Sequence, residues 1–335
     1  MRRDGTLVAA PSFLSTAYGS SYARAFPDRQ VEVVPLLGRA QGPTSTFQVC
    51  DGVATSVTPV APWDGEGSVP SRADLDRARQ RLGVEVLWYP LMSTDVPATR
   101  ALAAVEGVLV SERRPSPVID WTCGGRELWS RVRNRLGSRA ERRRRAFERA
   151  GLRFVDIVEP ERAVSFVAEV ERRSWKAAAG QDMISREQLA LYATLLRDGV
   201  LRATAVMDAD RPVAFRLDGL AGDTLYCVKW SYDDAYRKTS PGFMLITCDL
   251  AERYADAPLA RVDLFGGPDS LKDAVTTSSR HRVDIAWPGG VRAAELARCG
   301  RAHDARVAVH LAAGGGLRHL YTALAGDDHA AHTCA

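Results

Sequence analysis

The 335 residues, 46% hydrophobic and 26% charged, suffice for two buried cores and exclude a disordered or fibrous chain. The formal net charge of +4 permits an anionic ligand without demanding one. No apolar run approaches the roughly 18–20 residues that cross a bilayer, so no membrane span is expected.

From the N-terminus, Arg2 and Arg3 precede a short apolar patch, but Asp4 and Pro11 make a poor secretory leader, and residues 7–10 read as a first strand. Six scattered cysteines (50, 123, 227, 248, 299 and 334) form no CxxC pair. They are expected to be reduced thiols of a cytoplasmic protein with no structural metal, and Cys227 reads as a small core residue.

Apolar runs at 31–37, 47–50, 84–91 and 108–110 are strand candidates, and 71–82 and 97–105 carry helical patterning. Residues 58–70, with Trp63, form a Pro- and Gly-rich loop that suits either a lid or a long connection. Residues 1–125 thus read as α/β.

Residues 126–151 hold ten arginines against three glutamates on a helical pattern that Gly137-Ser138 can divide. The apolar stripe of Leu128, Trp129, Val132, Leu136, Ala140 and Phe147 leaves the arginines on the remaining faces. That suits a solvated connecting helix, a phosphate-binding face, or a face for RNA backbone through Arg139, Arg142, Arg143 and Arg145.

The following segment, 152–158, reads as a strand and 161–176 as a helix. Ser185 and Gln188 form a capping box opening a helix to Leu196. Strands at 201–207 and 212–220 flank the turn Asp208-Ala209-Asp210.

In the strand from Thr224, alternation points Tyr226, Val228 and Trp230 one way and Cys227 and Lys229 the other. A charged loop follows. Ser240 then suits a helix cap and Pro241 the first helical position, with Phe243, Ile246, Leu250 and Tyr254 at helical spacing. A helix opening just beyond a strand end, behind Arg237 and Lys238, suits a pyrophosphate, although a well-capped helix with two solvated cations fits the spacing equally. Residues 261–265 form a short strand that breaks at Gly266-Gly267. Beyond residue 290 the chain turns alanine- and arginine-rich, with helix expected over 291–324 and a frayed end. Five of the six histidines lie between His303 and His332, without ligand-like spacing.

The run from Leu225 to Leu245 and the run from Val262 to Lys272 resemble the C-terminal half of GNAT-fold acyltransferases of the two-domain branch. That branch includes cellulose-biosynthesis type acetyltransferase-like proteins and Fem-type aminoacyl-tRNA-dependent transferases. The marks are Tyr232-Asp233, Ser240-Pro241-Gly242, Asp263, Gly266-Gly267 and Lys272, and the likeness covers roughly residues 126–287. It implies an α/β (α+β) chain of two tandem GNAT-like domains, each a mixed, largely antiparallel sheet flanked by helices. The expected division is a degenerate first unit at 1–125, an arginine-rich connecting helix at 126–150, the working domain at 151–290, and a helical extension at 291–335.

The resemblance also implies an N-acyltransferase that moves an acyl group from an activated donor to the amine of a small molecule, in natural-product (antibiotic) or cell-envelope biosynthesis. Acyl-CoA is favoured over aminoacyl-tRNA as cosubstrate, with no tightly bound cofactor and no DNA partner. Lys229, Arg237, Lys238, Ser240, Gly242 and Phe243 would hold the donor. Arg216 and Asp218 share one face of their strand, where the pair could position or deprotonate an amine; Asp218 is the candidate base, and an ion pair on the sheet surface is the alternative. Tyr232 and Tyr236 are candidates to protonate the leaving group, and Lys272 to face phosphate or the acyl group. Trp175 and Tyr226 would line the acceptor site. The donor loop departs from the usual pattern of spaced glycines, since Arg237 to Gly242 holds one glycine and a proline. That departure keeps open an aminoacyl-tRNA donor, and also a catalytically silent GNAT-like binding protein.

Overall fold

A computed structural model describes residues 16–35, 44–57, 70–122, 124–174, 177, 185–255, 257–265 and 270–312. The elements in order are α1 (Thr16–Ala25), β1 (Val31–Pro35), β2 (Thr44–Cys50), β3 (Val53–Ser56), α2 (Arg72–Leu82), β4 (Val86–Ser93), α3 (Pro97–Ala103) and β5 (Leu109–Asp120). Then come α4 (Gly124–Leu136), α5 (Ser138–Arg149), β6 (Arg153–Ile157), α6 (Pro160–Arg172), α7 (Arg186–Arg197), β7 (Leu201–Asp208), β8 (Arg211–Ala221) and β9 (Thr224–Tyr232). A 3-10 turn (Asp234–Thr239) leads into α8 (241–253), whose middle, Leu245–Asp249, is a π turn. The chain ends in β10 (Arg261–Asp263), α9 (Ser270–Asp273), β11 (Ser278–Trp287) and α10 (Val291–Ala312).

Local chemistry accounts for the boundaries. Ser71 with Asp74, and Ser185 with Gln188, form reciprocal capping boxes that satisfy the first free N–H groups of α2 and α7. Gly137, at φ 55°, divides the arginine-rich segment into the two helices α4 and α5. The expected helix over 161–176 stops at Arg172. The expected first strand at 7–10, the loop at 58–69, Cys123, Trp175, Lys176, Gly266-Gly267 and the tail beyond 312 lie outside the described residues.

All eleven strands join one sheet in the order β1-β2-β3-β4-β11-β5-β10-β9-β8-β7-β6. β11, from the end of the chain, lies between β4 and β5, antiparallel to both. β5 in turn pairs with β10, so the two halves are one continuous sheet. On one face of the second half, Leu128, Val132 and Phe147 of α4 and α5 and Phe243, Ile246 and Leu250 of α8 pack on Val213, Leu225 and Val262. On the other face, Val167 and Val170 of α6 and Leu195 of α7 pack on Phe215, Leu217 and Tyr226. In the first half, Leu75 and Leu102 cover Leu87, Tyr89 and Ile285, while Ala293 and Ala297 of α10 cover Trp88 and Ala286. Sequence alone missed α1, β3 and β11, and placed only two residues of the twelve-residue β5.

Two irregularities position the site. β10 pairs in parallel with β9 only over Arg261↔Thr224, Val262↔Leu225 and Asp263↔Tyr226. Beyond Tyr226, β9 has no strand partner on that side among the described residues, so alternate peptide groups up to Tyr232 are left off the ladder. In the same place the β8–β9 register slips between Leu217↔Lys229 and Asp218↔Cys227, which leaves Val228 as a bulge.

Candidate active site

The bulge overturns the expected alternation in β9. Tyr226 and Val228 pack towards α6 and α7, Cys227 and Trp230 towards α8, and Lys229 reaches Glu171 of α6 at 3.3 Å. One extra residue in the strand puts Lys229 on the opposite face from Phe243, so it does not stand at the donor loop. Glu171 and Lys229 are both buried. Their pairing brings a carboxylate and an ammonium to β9 where it parts from β10. Glu171 was missed in the sequence because nothing in the α6 pattern distinguishes it from a solvated helix glutamate.

The loop after β9, expected to hold the donor, is built on Asp233. Its buried carboxylate accepts from the Ala235 N–H and pairs with Arg173 and Arg211, at 2.8 Å each, which fixes the chain as it leaves β9. Ser240 occupies the cap position of α8 but at φ 54°, with no side-chain cap bond; its own N–H donates to Arg237 O at 3.2 Å. Pro241 takes the first helical position as expected. Gly242 then lies so close to β9 that an added Cβ would sit 2.9 Å from a Tyr232 ring carbon.

α5 packs beside this turn, and the Arg143 guanidinium stacks over Phe243 at 4.7 Å from the ring centre. Burial, and then the Arg139 charge, push the Arg143 pKa down, so a phosphate here relieves an existing repulsion. Arg237 and Lys238 are exposed on the same turn, and Arg139, Arg142 and Arg145 are exposed on α5. The hairpin's acids are taken by other residues: Glu127 by Arg131, Glu141 by Arg133 and Arg144, and Glu148 by Arg144. The sequence-predicted donor residues Arg237, Lys238, Ser240, Gly242 and Phe243 therefore gather with Tyr232 and Arg143.

Three candidates lie elsewhere. Arg216 and Asp218 form a buried network under α8: Arg216 Nε donates to both Asp218 oxygens at 2.8 Å, Nη2 pairs with Asp249 at 2.8 Å, and Nη1 donates to the Leu245 carbonyl of the π turn. Asp249 also pairs with Arg253 at 2.8 Å. Asp218 is 2% exposed, and burial raises its pKa against the opposing Arg216 charge. Both Asp218 oxygens accept from Arg216, whose other nitrogens reach Asp249 and the Leu245 carbonyl, so the pair ties α8 to the sheet. Tyr236 is turned towards the β7–β8 end, where its hydroxyl donates to Asp208 at 2.5 Å, and that bond raises its pKa.

Below the point of divergence lies a second charged group. Asp263, fully buried at the end of β10, accepts from Arg282 Nη2 at 2.5 Å and Arg280 Nη1 at 3.4 Å. Arg280 Nη1 also donates to the Tyr226 hydroxyl at 3.2 Å. Lys272 Nζ donates to the Phe265 carbonyl at 2.6 Å, where the backbone reaches φ 48°. Tyr226 and Asp263 thus meet beside the divergence with Arg280 and Arg282, which sequence reasoning missed because β11 was not recognised, while Lys272 holds the chain just after β10. The described residues hold no group of three His, Cys, Asp or Glu side chains arranged for a metal, and no helix long and apolar enough to cross a membrane.

Residues 131–273 match the family model of the acetyltransferase (GNAT) domain. No curated protein matches the chain in sequence. Among solved structures, FemX superposes with a TM-score of 0.57 at 11% identity, over 81% of this chain and 91% of that one. The C-terminal domain of a protein assigned as a lysylphosphatidylglycerol synthetase from Agrobacterium fabrum gives 0.53 at 14% identity, over 87% and 91%. The L-PGS of Bacillus licheniformis gives 0.50 at 12% identity, over 81% and 92%. These matches show that the whole two-halved sheet, and not only its C-terminal half, is a fold shared with those proteins.

Proposed function

We infer, from the GNAT domain that residues 131–273 carry, that the protein is an N-acyltransferase whose donor bears phosphate and whose acceptor is an amine. One observation carries the reading: β9 bulges and leaves its ladder beside a helix N-terminus ringed by Arg143, Arg237 and Lys238. Unpaired peptide groups there can donate to the oxyanion formed when an amine adds to an acyl carbonyl. The carbon–nitrogen bond forms, the bond from the carbonyl carbon to the donor's sulfur or oxygen breaks, and the amine proton leaves to a base. Glu171, held against Lys229 at the bulge, is the carboxylate we assign to that proton. Tyr232, under the donor turn, is the group we assign to protonate the leaving atom.

The Ser240–Phe243 turn and its cations favour an acyl-CoA donor, because a pyrophosphate spans such a turn. The exposed Arg139, Arg142 and Arg145 on the adjoining helix favour a second reading, an aminoacyl-tRNA donor whose backbone runs over α5. Turnover of acetyl-CoA and of charged tRNA with an amine panel separates the two. Glu171→Gln is expected to lower kcat by about 10²–10⁴-fold, the usual contribution of a general base. An unchanged kcat would remove Glu171 from the reaction.

A further inference from the structure

On the α6 face of the sheet, where β10 and β11 begin, a hollow of about 160 Å³ opens beneath the turn after β4. Its polar lining is Arg261, Arg280, His281, the hydroxyls of Thr94, Ser278 and Ser279, and a single carboxylate, Asp95. That carboxylate is already committed, since Asp95 Oδ2 accepts from Arg280 Nε at 2.9 Å and from Arg261 Nη1 at 2.5 Å. Partial burial pushes the Asp95 carboxyl up, but the Ser93 hydroxyl and the Arg280 and Arg261 charges hold it below its ordinary value. Asp95 thus faces two guanidinium groups, of which Arg280 also reaches Asp263 at 3.4 Å, and Ser278 and Ser279 line the same hollow. The Arg261 side chain keeps 39% of its surface exposed, whereas that of Arg280 is 6% exposed. The composition suits a small oxyanion and disfavours a cation or an apolar group.

Position adds the second half of the argument. Arg280 touches the hollow with one side of its guanidinium and the Tyr226 hydroxyl and Asp263 with the other, beside the β9–β10 divergence. We propose that the hollow binds the carboxylate or phosphate of the acceptor, anchoring it through Arg261, Arg280 and the Ser278–Ser279 hydroxyls while its amine is offered above Tyr226. That the anion belongs to an acceptor rests on the acyl-transfer reading; that the hollow binds one does not.

The test is calorimetric titration with inorganic phosphate and, separately, succinate. It is run on the full chain carrying Arg237→Gln and Lys238→Gln, so that the donor turn does not contribute. One saturable site is expected, weakened about tenfold or more by Arg261→Gln and severalfold by Ser278→Ala with Ser279→Ala, a pair of exposed changes that leaves the ion pairs intact. Response to phosphate alone assigns a phosphate group, and response to succinate alone a carboxylate. No binding of either ion, or affinity unchanged in both variants, overturns the proposal. Anion binding in a protein that transfers no acyl group would keep the hollow as a site and defeat the acyl-transfer reading instead.

Discussion

Arg216 and Asp218 share one face of β8, where α8 covers them and Asp249 and Arg253 complete their network. Asp218→Asn is expected to cost roughly 3–5 kcal/mol in urea unfolding, because it leaves Arg216 short of charge in the core. A loss under about 1 kcal/mol would return Asp218 to the list of accessible groups.

The thiols offer a sharper residue-scale test. Burial pushes the Cys248 thiol up to about 12 and raises Cys227 as well, while Cys50 and Cys299 are exposed. The thiolate is the reactive form, so at pH 8 an aromatic disulfide reagent is expected to label Cys50 and Cys299 and to spare the buried Cys227 and the half-buried Cys248 until the protein unfolds. The sign follows from the raised value: holding Cys248 as a neutral thiol favours the fold below the unfolded pKa near 9, and that advantage is lost as pH rises towards about 12. Fast labelling of Cys248 in the native protein would contradict its packing.

At the scale of elements, the capping boxes, the break at Gly137 and the Pro241 start of α8 were readable, because each depends on residues within one turn of one another. The bulge at Val228 was not, since it exists only in the register between β8 and β9, and it alone moves Lys229 from the donor turn to Glu171. The π turn was likewise hidden behind regular helical spacing. Gly242 shows why the turn tolerates so few side chains: a Cβ there meets the Tyr232 ring at 2.9 Å. Gly242→Val is therefore expected to weaken donor binding at least tenfold, with overpacking costing about 1–3 kcal/mol of stability. Unaltered donor affinity in a folded variant would show that α8 and β9 need not approach so closely.

For the whole molecule, the class of fold was readable and its boundaries were not. A cut near residue 125 looks natural in sequence, yet β5 ends at Asp120 between β10 and β11, and β1 to β4 join the sheet on the far side of β11. Long-range exchange of this kind leaves no trace in periodicity. A fragment beginning at residue 126 lacks β5 and exposes the edges of β10 and β11, so it is expected to aggregate, whereas a well-dispersed NMR spectrum from it would refute the dependence of one half on the other.

A donor site at the start of α8 makes donor binding to the full chain the decisive measurement. Titration with acetyl-CoA and with aminoacylated tRNA, at low and moderate salt, is expected to give a saturable complex with at least one of them. That complex should weaken about tenfold in Arg143→Leu and in Arg237→Gln with Lys238→Gln, with the penalty largest at low salt. Loss confined to tRNA on replacing Arg139, Arg142 and Arg145 by glutamine would select the RNA donor. Binding of neither donor, or affinities that ignore these cations, would contradict the central claim.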